Sequence, residues 1–290
     1  MAVNKELWLA AIVDGLVPQT SFLARSKDLS EFVDYNKLHL AEAGVDPRVL
    51  IDNATYPVAT ASREDIPHEL VLHTFDTENT VVRKVESKEA SYDKIASVVQ
   101  GHKNSLTRKM AAFAAHAWAP QQNSATSPVL KTSGKTTKRG TKAFSFEDFI
   151  HMDGLFRDFD VDPSTLVCVL SAGARADLMA EDMKLYKQIL ADGKLFSFSL
   201  FDTSLLPSFK LETMQKNALG AAVSEADGIA CLVYSSDYVC RAQGSLDMFA
   251  QYDVPAERGD VIGFQSRFTA CPITGKYIGA IVEDKPAKAE

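Results

Sequence analysis

Ser133 to Thr137 reads SGKTT, the residue types that close a phosphate-binding loop. Such a loop also needs a glycine five residues before its Gly-Lys pair, so that backbone amides can curl around phosphate. Val129 stands there and no strand is read into it, so the match is taken as accidental. His39, His68, His73, His102, His116 and His151 show no HExxH spacing, and no Cys/His cluster has zinc-site spacing. His102 falls on the apolar face of a long helical pattern, where a core or interface histidine is the simpler reading. Ser245 in QGSLD lacks the GxSxG elbow that exposes a nucleophile. The acidic clusters EDFIHMD and MAEDM read as solvated helix faces. No nucleophile, base and orienting group assemble, so no enzyme, metal or cofactor is expected.

Cys168, Cys231, Cys240 and Cys271 form no CxxC pair, and Cys168 sits inside the apolar run LVCVL. They read as buried, reduced thiols of an intracellular protein. A net charge of -7 and a pI near 5.5 argue against a globally basic nucleic-acid binder. A local basic surface remains. Lys131, Lys135, Lys138, Arg139 and Lys142 lie in QQNSATSPVLKTSGKTTKRGTK, a stretch of low apolar content that reads as a flexible loop or domain boundary. Such a loop suits nonspecific contact with phosphate backbones. A solvated linker is the competing reading. The N-terminal MAVNKELWLAAIVDGLV is too short in its apolar run, and broken by Asp14, for a signal peptide. No apolar stretch of about 18 residues exists, so no membrane span is expected.

The elements that must position these residues follow from periodicity. Residues 7–17 carry Leu7, Trp8, Ala11, Ile12 and Leu16 on one helical face, and irregular chain from Ser21 to Pro57 suggests an arm lying on something else. Residues 67–85 read as two strands with a turn at Asp76 to Asn79. Neither of their faces is cleanly apolar, so the hairpin is expected to project. From near Ser91 to Trp118, apolar residues recur at spacings of three and four through Val99, His102, Leu106, Met110 and Phe113. That predicts a helix of about 42 Å at ~1.5 Å per residue. Its polar side is basic, with Lys94, Lys103, Arg108 and Lys109 against Asp93.

Beyond the basic loop, Ser145 is a plausible N-cap for a helix with Phe149, Ile150 and Leu155 as its apolar positions. LVCVLS reads as a buried strand, ARADLMAEDMKLYKQIL as one amphipathic helix and GKLFSFSLF as a strand. NALGAAVSEADGIACLVYS pairs a small-residue helix with a buried strand. DVIGFQSRFTAC, with Ile262, Phe264, Phe268 and Ala270 on one face, and KYIGAIVED are expected to close the chain as a hairpin. No repeat of 20 to 50 residues is present.

This order of elements resembles the major capsid protein of tailed bacteriophages, with its Hong Kong 97-like fold. The resemblance spans nearly the whole chain and rests on HTFDTENTVVRKVESKEASYDKIASVVQGHKNSL, on FSFEDFIHMDGLFRDFDVDPSTLVCVLSAGARADLMAED, on GKLFSFSLFDTSLLP and on DVIGFQSRFTACPITGKYIGAIVED. It implies an α+β fold divided into an N-terminal arm (1–60), an extension loop (61–90), a spine helix and basic loop of a peripheral domain (91–142), an axial domain (143–257) and closing strands with a tail (258–290). It implies a shell protein whose copies gather into pentamers and hexamers around double-stranded DNA, held nonspecifically. Its further partners would be a portal and separate scaffolding or decoration proteins, in the virion capsid and, during assembly, in the host cytoplasm.

On this resemblance, Asp76, Glu78, Arg83, Lys84, Glu86 and Lys88 would reach a neighbouring copy through polar and ionic contacts. Each exposed pair contributes only about 0 to 1 kcal/mol, so repetition over many copies would carry the stability. No sustained heptads precede Ala41, so a cleaved N-terminal scaffolding segment is not expected. Some relatives crosslink lysine to asparagine. Lys84 and Lys88 lie in the corresponding loop, but no such bond is expected here. Two alternatives stand beside this reading. One is an encapsulin-type nanocompartment shell, which shares the fold and encloses protein cargo. The other is a soluble α/β enzyme, which would show a polar pocket with perturbed titratable groups inside one monomer.

Overall fold

All-apolar runs such as LVCVL and IGAIV require a sheet covered on both faces, whereas an alternating run such as DVIGFQSRF requires cover on one. The computed structural model contains both kinds of sheet and describes residues 16–18, 20–34, 36–42, 49–54, 56–58, 60, 66–83 and 94–285. The first sheet is built on a long antiparallel pair, β13 (Val239–Val254) and β14 (Gly259–Pro272). The short β1 (Lys27–Asp28) runs parallel to β13, while β5 (His73–Asp76) and β6 (Thr80–Arg83) both lie antiparallel on β14. Helix α1 (Lys94–Trp118) packs across β14. Its Val99, Leu106, Met110, Ala114 and Trp118 are buried against Ile262, Phe264 and Phe268. The described helix is about 37 Å long at ~1.5 Å per residue.

The second sheet runs in the order β7 (Val129–Lys131), β15 (Ile278–Val282), β12 (Asp227–Ser235), β8 (Leu166–Leu170), β10 (Phe198–Asp202) and β9 (Lys194–Leu195), with β11 (Ser208–Lys210) on β12. It divides two cores. Val167, Val169, Leu232 and Tyr234 face the core shared with α1, and Leu166, Cys168, Leu170 and Val233 face a second core. Helices α2 (Phe146–Asp158), α3 (Ala172–Glu181) and α4 (Met183–Asp192) cover that second core with Phe149, Met152, Phe156, Leu178 and Tyr186. A third, small sheet joins β2 (Val33–Asp34), β3 (Lys37–Glu42) and β4 (Ile66–Val71).

The structure revises several expectations. The strands around Asp76 to Asn79 do not pair with each other. They continue in one direction along β14, broken where Thr77 bonds the Phe264 carbonyl. The exposed edge of so long a strand offers more hydrogen bonds than a four-residue hairpin could. Gly263 lets Asn79 fold over the ladder there, since a Cβ would collide with Asn79 Oδ1. The antiparallel hairpin that does form here is β3–β4, whose connecting residues are 43–65.

The expected closing hairpin is also absent. Pro272 ends β14, Tyr277 turns the chain at φ 60°, and β15 pairs with β12 and β7 in the other sheet. Both faces of IGAIV are apolar, which suits the two-sided sheet and not β14. ARADLMAEDMKLYKQIL is two helices. Asp182 accepts from the Lys184 and Leu185 amides as an N-cap, and this restarts the chain in a new direction. GKLFSFSLF holds the tight pair β9–β10 around Phe196 at φ 54°. NALGAAVSEA forms no helix, because its small side chains stay exposed and have no core to cover. Ser145 does cap α2, yet Ile150 is exposed and Met152 and Phe156 are buried in its place. Of the helix read at 7–17, residues 7–15 lie outside the described residues, as do residues 91–93, where the long helix was expected to begin.

Candidate assembly surfaces

The basic loop 131–142 is built into the fold. Contrary to the sequence reading, strand β7 leads directly into SGKTT, but no helix follows to receive a phosphate. Asp148 near the start of α2 instead accepts from the Ser133 amide and from Ser133 Oγ, the latter at 2.7 Å. Arg139 Nη2 lies 2.6 Å from Asp177 and 3.3 Å from Glu283. Lys142 Nζ is 2.7 Å from Asp284, with Lys131 Nζ 3.8 Å from the same carboxylate. Three of the five expected phosphate-facing cations are thus balanced by acids of the same chain. Lys135 and Lys138 are exposed on the loop.

The residues expected to reach a neighbour are divided. Asp76 sits on β5 and accepts from Gln265 Nε2 at 2.6 Å, while Arg83 on β6 lies 3.8 Å from Glu257. Glu78 is exposed at the break between the two strands. Lys84, Glu86 and Lys88 lie outside the described residues.

Sequence reasoning missed three surfaces that carry exposed apolar side chains. Val49 and Ile51, in the connection of the β3–β4 hairpin, are 88% and 86% exposed, and Leu50, Tyr56 and Val58 are exposed beside them. The root of the hairpin is anchored by Leu38 and Leu72 against Ala242, and by Lys37 bonded to Glu69 at 2.8 Å. A groove of about 850 Å³ runs between α1 and the β5–β6 edge, lined by Phe75, Thr77, His102, Leu106, Phe113 and Leu219. His102 is buried, its ring packs on Phe264, and its Nε2 has no hydrogen-bond partner. Burial lowers its pKa and keeps it neutral. A third apolar patch, with Met183, Leu185, Leu190 and Phe196, lies on the outside of α4 and the β9–β10 turn. Such unburied patches of large side chains mark contact surfaces. A signal for the hairpin patch was present in the run VLI, which has no place on an amphipathic element.

Among the described residues, no group of three or more His, Cys, Asp or Glu is arranged to hold a metal ion, and no helix is long and apolar enough to cross a membrane. Two of the perturbed titratable groups, Lys216 and Asp227, have structural partners. Lys216 Nζ donates to the carbonyls of His116 and Ala119 at the end of α1, and Asp227 accepts from Ser224.

No family model matches the chain, and no curated protein matches it. Solved structures do. The capsid of Ralstonia phage GP4 is 9% identical, with a TM-score of 0.67 over 96% of this chain and 92% of that one. The mature capsid of bacteriophage PhiM1 is 12% identical, with a TM-score of 0.63 over 94% and 89%. A virus-like particle from Pyrococcus furiosus is 9% identical, with a TM-score of 0.59 over 96% and 99%. At such identities the likeness is one of fold, and it extends over nearly the whole of each chain. The protein has the α+β, Hong Kong 97-like capsid fold that the order of its sequence elements led us to expect.

Proposed function

We propose that the chain is a major capsid protein, a structural and non-catalytic subunit whose copies form pentamers and hexamers and close into an icosahedral shell around phage double-stranded DNA. The observation that carries this reading is the end-to-end match in fold to phage capsids. We take the α1 core, with β13 and β14, as the peripheral domain and the α2–α4 core, with the second sheet including β7 and β15, as the axial domain. β13 thus leaves the axial stretch 143–257, and β15 leaves the closing strands 258–290. The segment that reaches a neighbouring copy is then chiefly the β3–β4 hairpin. Its exposed Val49, Leu50 and Ile51 have a matching destination in the groove between α1 and β5–β6 of the next copy, where Phe75, Phe113 and Leu219 supply apolar wall. Asp76, Glu78 and Arg83 lie on or beside that edge and would form a polar rim. Contact with packaged DNA falls to Lys135 and Lys138.

The test is to purify the chain alone and after coexpression with its neighbouring genes, then to measure particle mass and nuclease-protected contents. Shells protecting nucleic acid support the capsid. Shells holding a protein cargo instead would point to an encapsulin-type compartment, and a monomer in both preparations would overturn the proposal.

A further inference from the structure

Cys240 on β13 and Cys271 on β14 are direct register partners, and their Sγ atoms lie 3.2 Å apart. Both are free thiols. Directly opposed residues of an antiparallel ladder have Cα atoms about 4.5 to 5.5 Å apart, within the ~4.4 to 6.8 Å that a disulfide spans. The two sulfurs therefore meet without displacement of either strand. Cys240 is buried and Cys271 partly exposed, so a small reagent can approach from one side only.

We propose that Cys240 and Cys271 are an oxidisable pair, a modification site at which a small disulfide such as oxidised glutathione installs an intrachain disulfide. The pair loses a proton to water, and the remaining S–H proton can move between the two sulfurs across their contact. The Cys271 thiolate attacks one sulfur of glutathione disulfide, whose S–S bond breaks and releases one glutathione thiolate. Cys240 then loses its proton, attacks Cys271 Sγ and expels the second glutathione thiolate. Two protein thiols have given up two protons and two electrons, and one glutathione disulfide has become two glutathione molecules.

The site favours ring closure over a lasting mixed disulfide, because Cys240 Sγ already lies against Cys271 Sγ and the positive charge of Lys27 lies near Cys240. Lys27 stands on β1, the register partner of Cys240. The other two thiols serve as internal controls. Cys168 and Cys231 lie wholly within the second core, and burial raises both, Cys231 to about 12. Position gives the bond a consequence. The Cys240 carbonyl accepts from Trp118 Nε1 at 3.1 Å, so the link would join both strands of the long hairpin where α1 ends and β1 docks.

The experiment treats the purified full chain with oxidised glutathione, blocks remaining thiols with N-ethylmaleimide under denaturing conditions and maps the peptides by mass spectrometry. The expected map shows Cys168 and Cys231 alkylated, Cys240 joined to Cys271, and full reversal by dithiothreitol. The oxidised chain should also unfold at a higher urea concentration. Cys240→Ser should trap glutathione on Cys271. If that variant does not fold, the parent map decides alone. Four alkylated thiols, a persistent glutathione adduct on the parent chain, or a disulfide joining other cysteines or other copies would overturn the proposal.

Discussion

Lys216 Nζ donates to the carbonyls of His116 and Ala119, each at 2.8 Å, and so closes the C-terminal end of helix α1 from a loop about a hundred residues away. These are carbonyls that a helix end leaves without intrahelical partners. Burial lowers the ammonium pKa to about 8 from an ordinary 10.5. Below pH 8 the folded and unfolded chains both carry the proton, and the folded chain bears the full desolvation cost. Between pH 8 and 10.5 the unfolded chain binds the proton more tightly, so stability rises with pH. Lys216→Met should cost about 1 to 3 kcal/mol at neutral pH. Its deficit should grow by about 1 kcal/mol by pH 10, a figure discounted because water still reaches part of the side chain. Urea unfolding at pH 7.5 and 10 measures both, and a gap that does not change with pH would contradict the assignment.

Asp227 supplies the acid-side counterpart. Ser224 donates its hydroxyl at 2.6 Å and its amide at 2.8 Å to Asp227 Oδ2, and these bonds, with help from Asn217, lower the carboxyl pKa to about 2 from 3.8. The stabilisation is complete above pH 3.8 and is lost as pH falls from 3.8 to 2. Asp227→Asn should cost about 1 kcal/mol at pH 7 and flatten the acid limb of the stability curve in that window. An unchanged limb would show that the pair is not a source of stability.

The basic loop separates into cations with structural partners and cations facing solvent. Arg139→Met leaves Asp177 and Glu283, both largely buried, without their guanidinium, and should cost about 1 to 3 kcal/mol. Replacing both Lys135 and Lys138 by Ala should leave the unfolding midpoint unchanged. It should also lower the salt dependence of nonspecific DNA binding by about one unit of log–log slope for each phosphate no longer neutralised. Equal DNA binding by the double variant would remove the loop as the DNA-facing surface.

The hairpin connection offers a test of assembly that spares the fold. Val49→Asp with Ile51→Asp changes only exposed side chains, so the monomer should unfold within about 0.5 kcal/mol of the parent. Shell formation should fail, because the charges would have to enter the apolar groove of the next copy. Normal shells from this variant would contradict the placement of the hairpin. Deletion of Asp76 to Lys88 would not separate these effects, since Asp76 and residues 80–83 belong to the β14 ladder.

Much of this fold was legible wherever one local rule decided it. Ser145 announced a cap, LVCVL a doubly covered strand, and Val99 to Trp118 a long helix. Partner choice was not legible, because it is settled by competition among distant edges. IGAIV follows β14 in sequence but finds β12, and Thr74 to Arg83 prefers the open edge of β14 to itself. Asp182 broke an apolar periodicity that ran on past it. Cys240 and Cys271, far apart in sequence, could not be recognised as neighbours until the register of β13 against β14 was known.

Cryo-electron microscopy of the purified chain, alone and coexpressed with its neighbouring genes, tests the central claim most directly. The account predicts closed shells of pentamers and hexamers in which the β3–β4 hairpin of each copy lies in the α1 groove of the next. A protein that stays monomeric in both preparations, or shells whose grooves are empty of the hairpin, would contradict it.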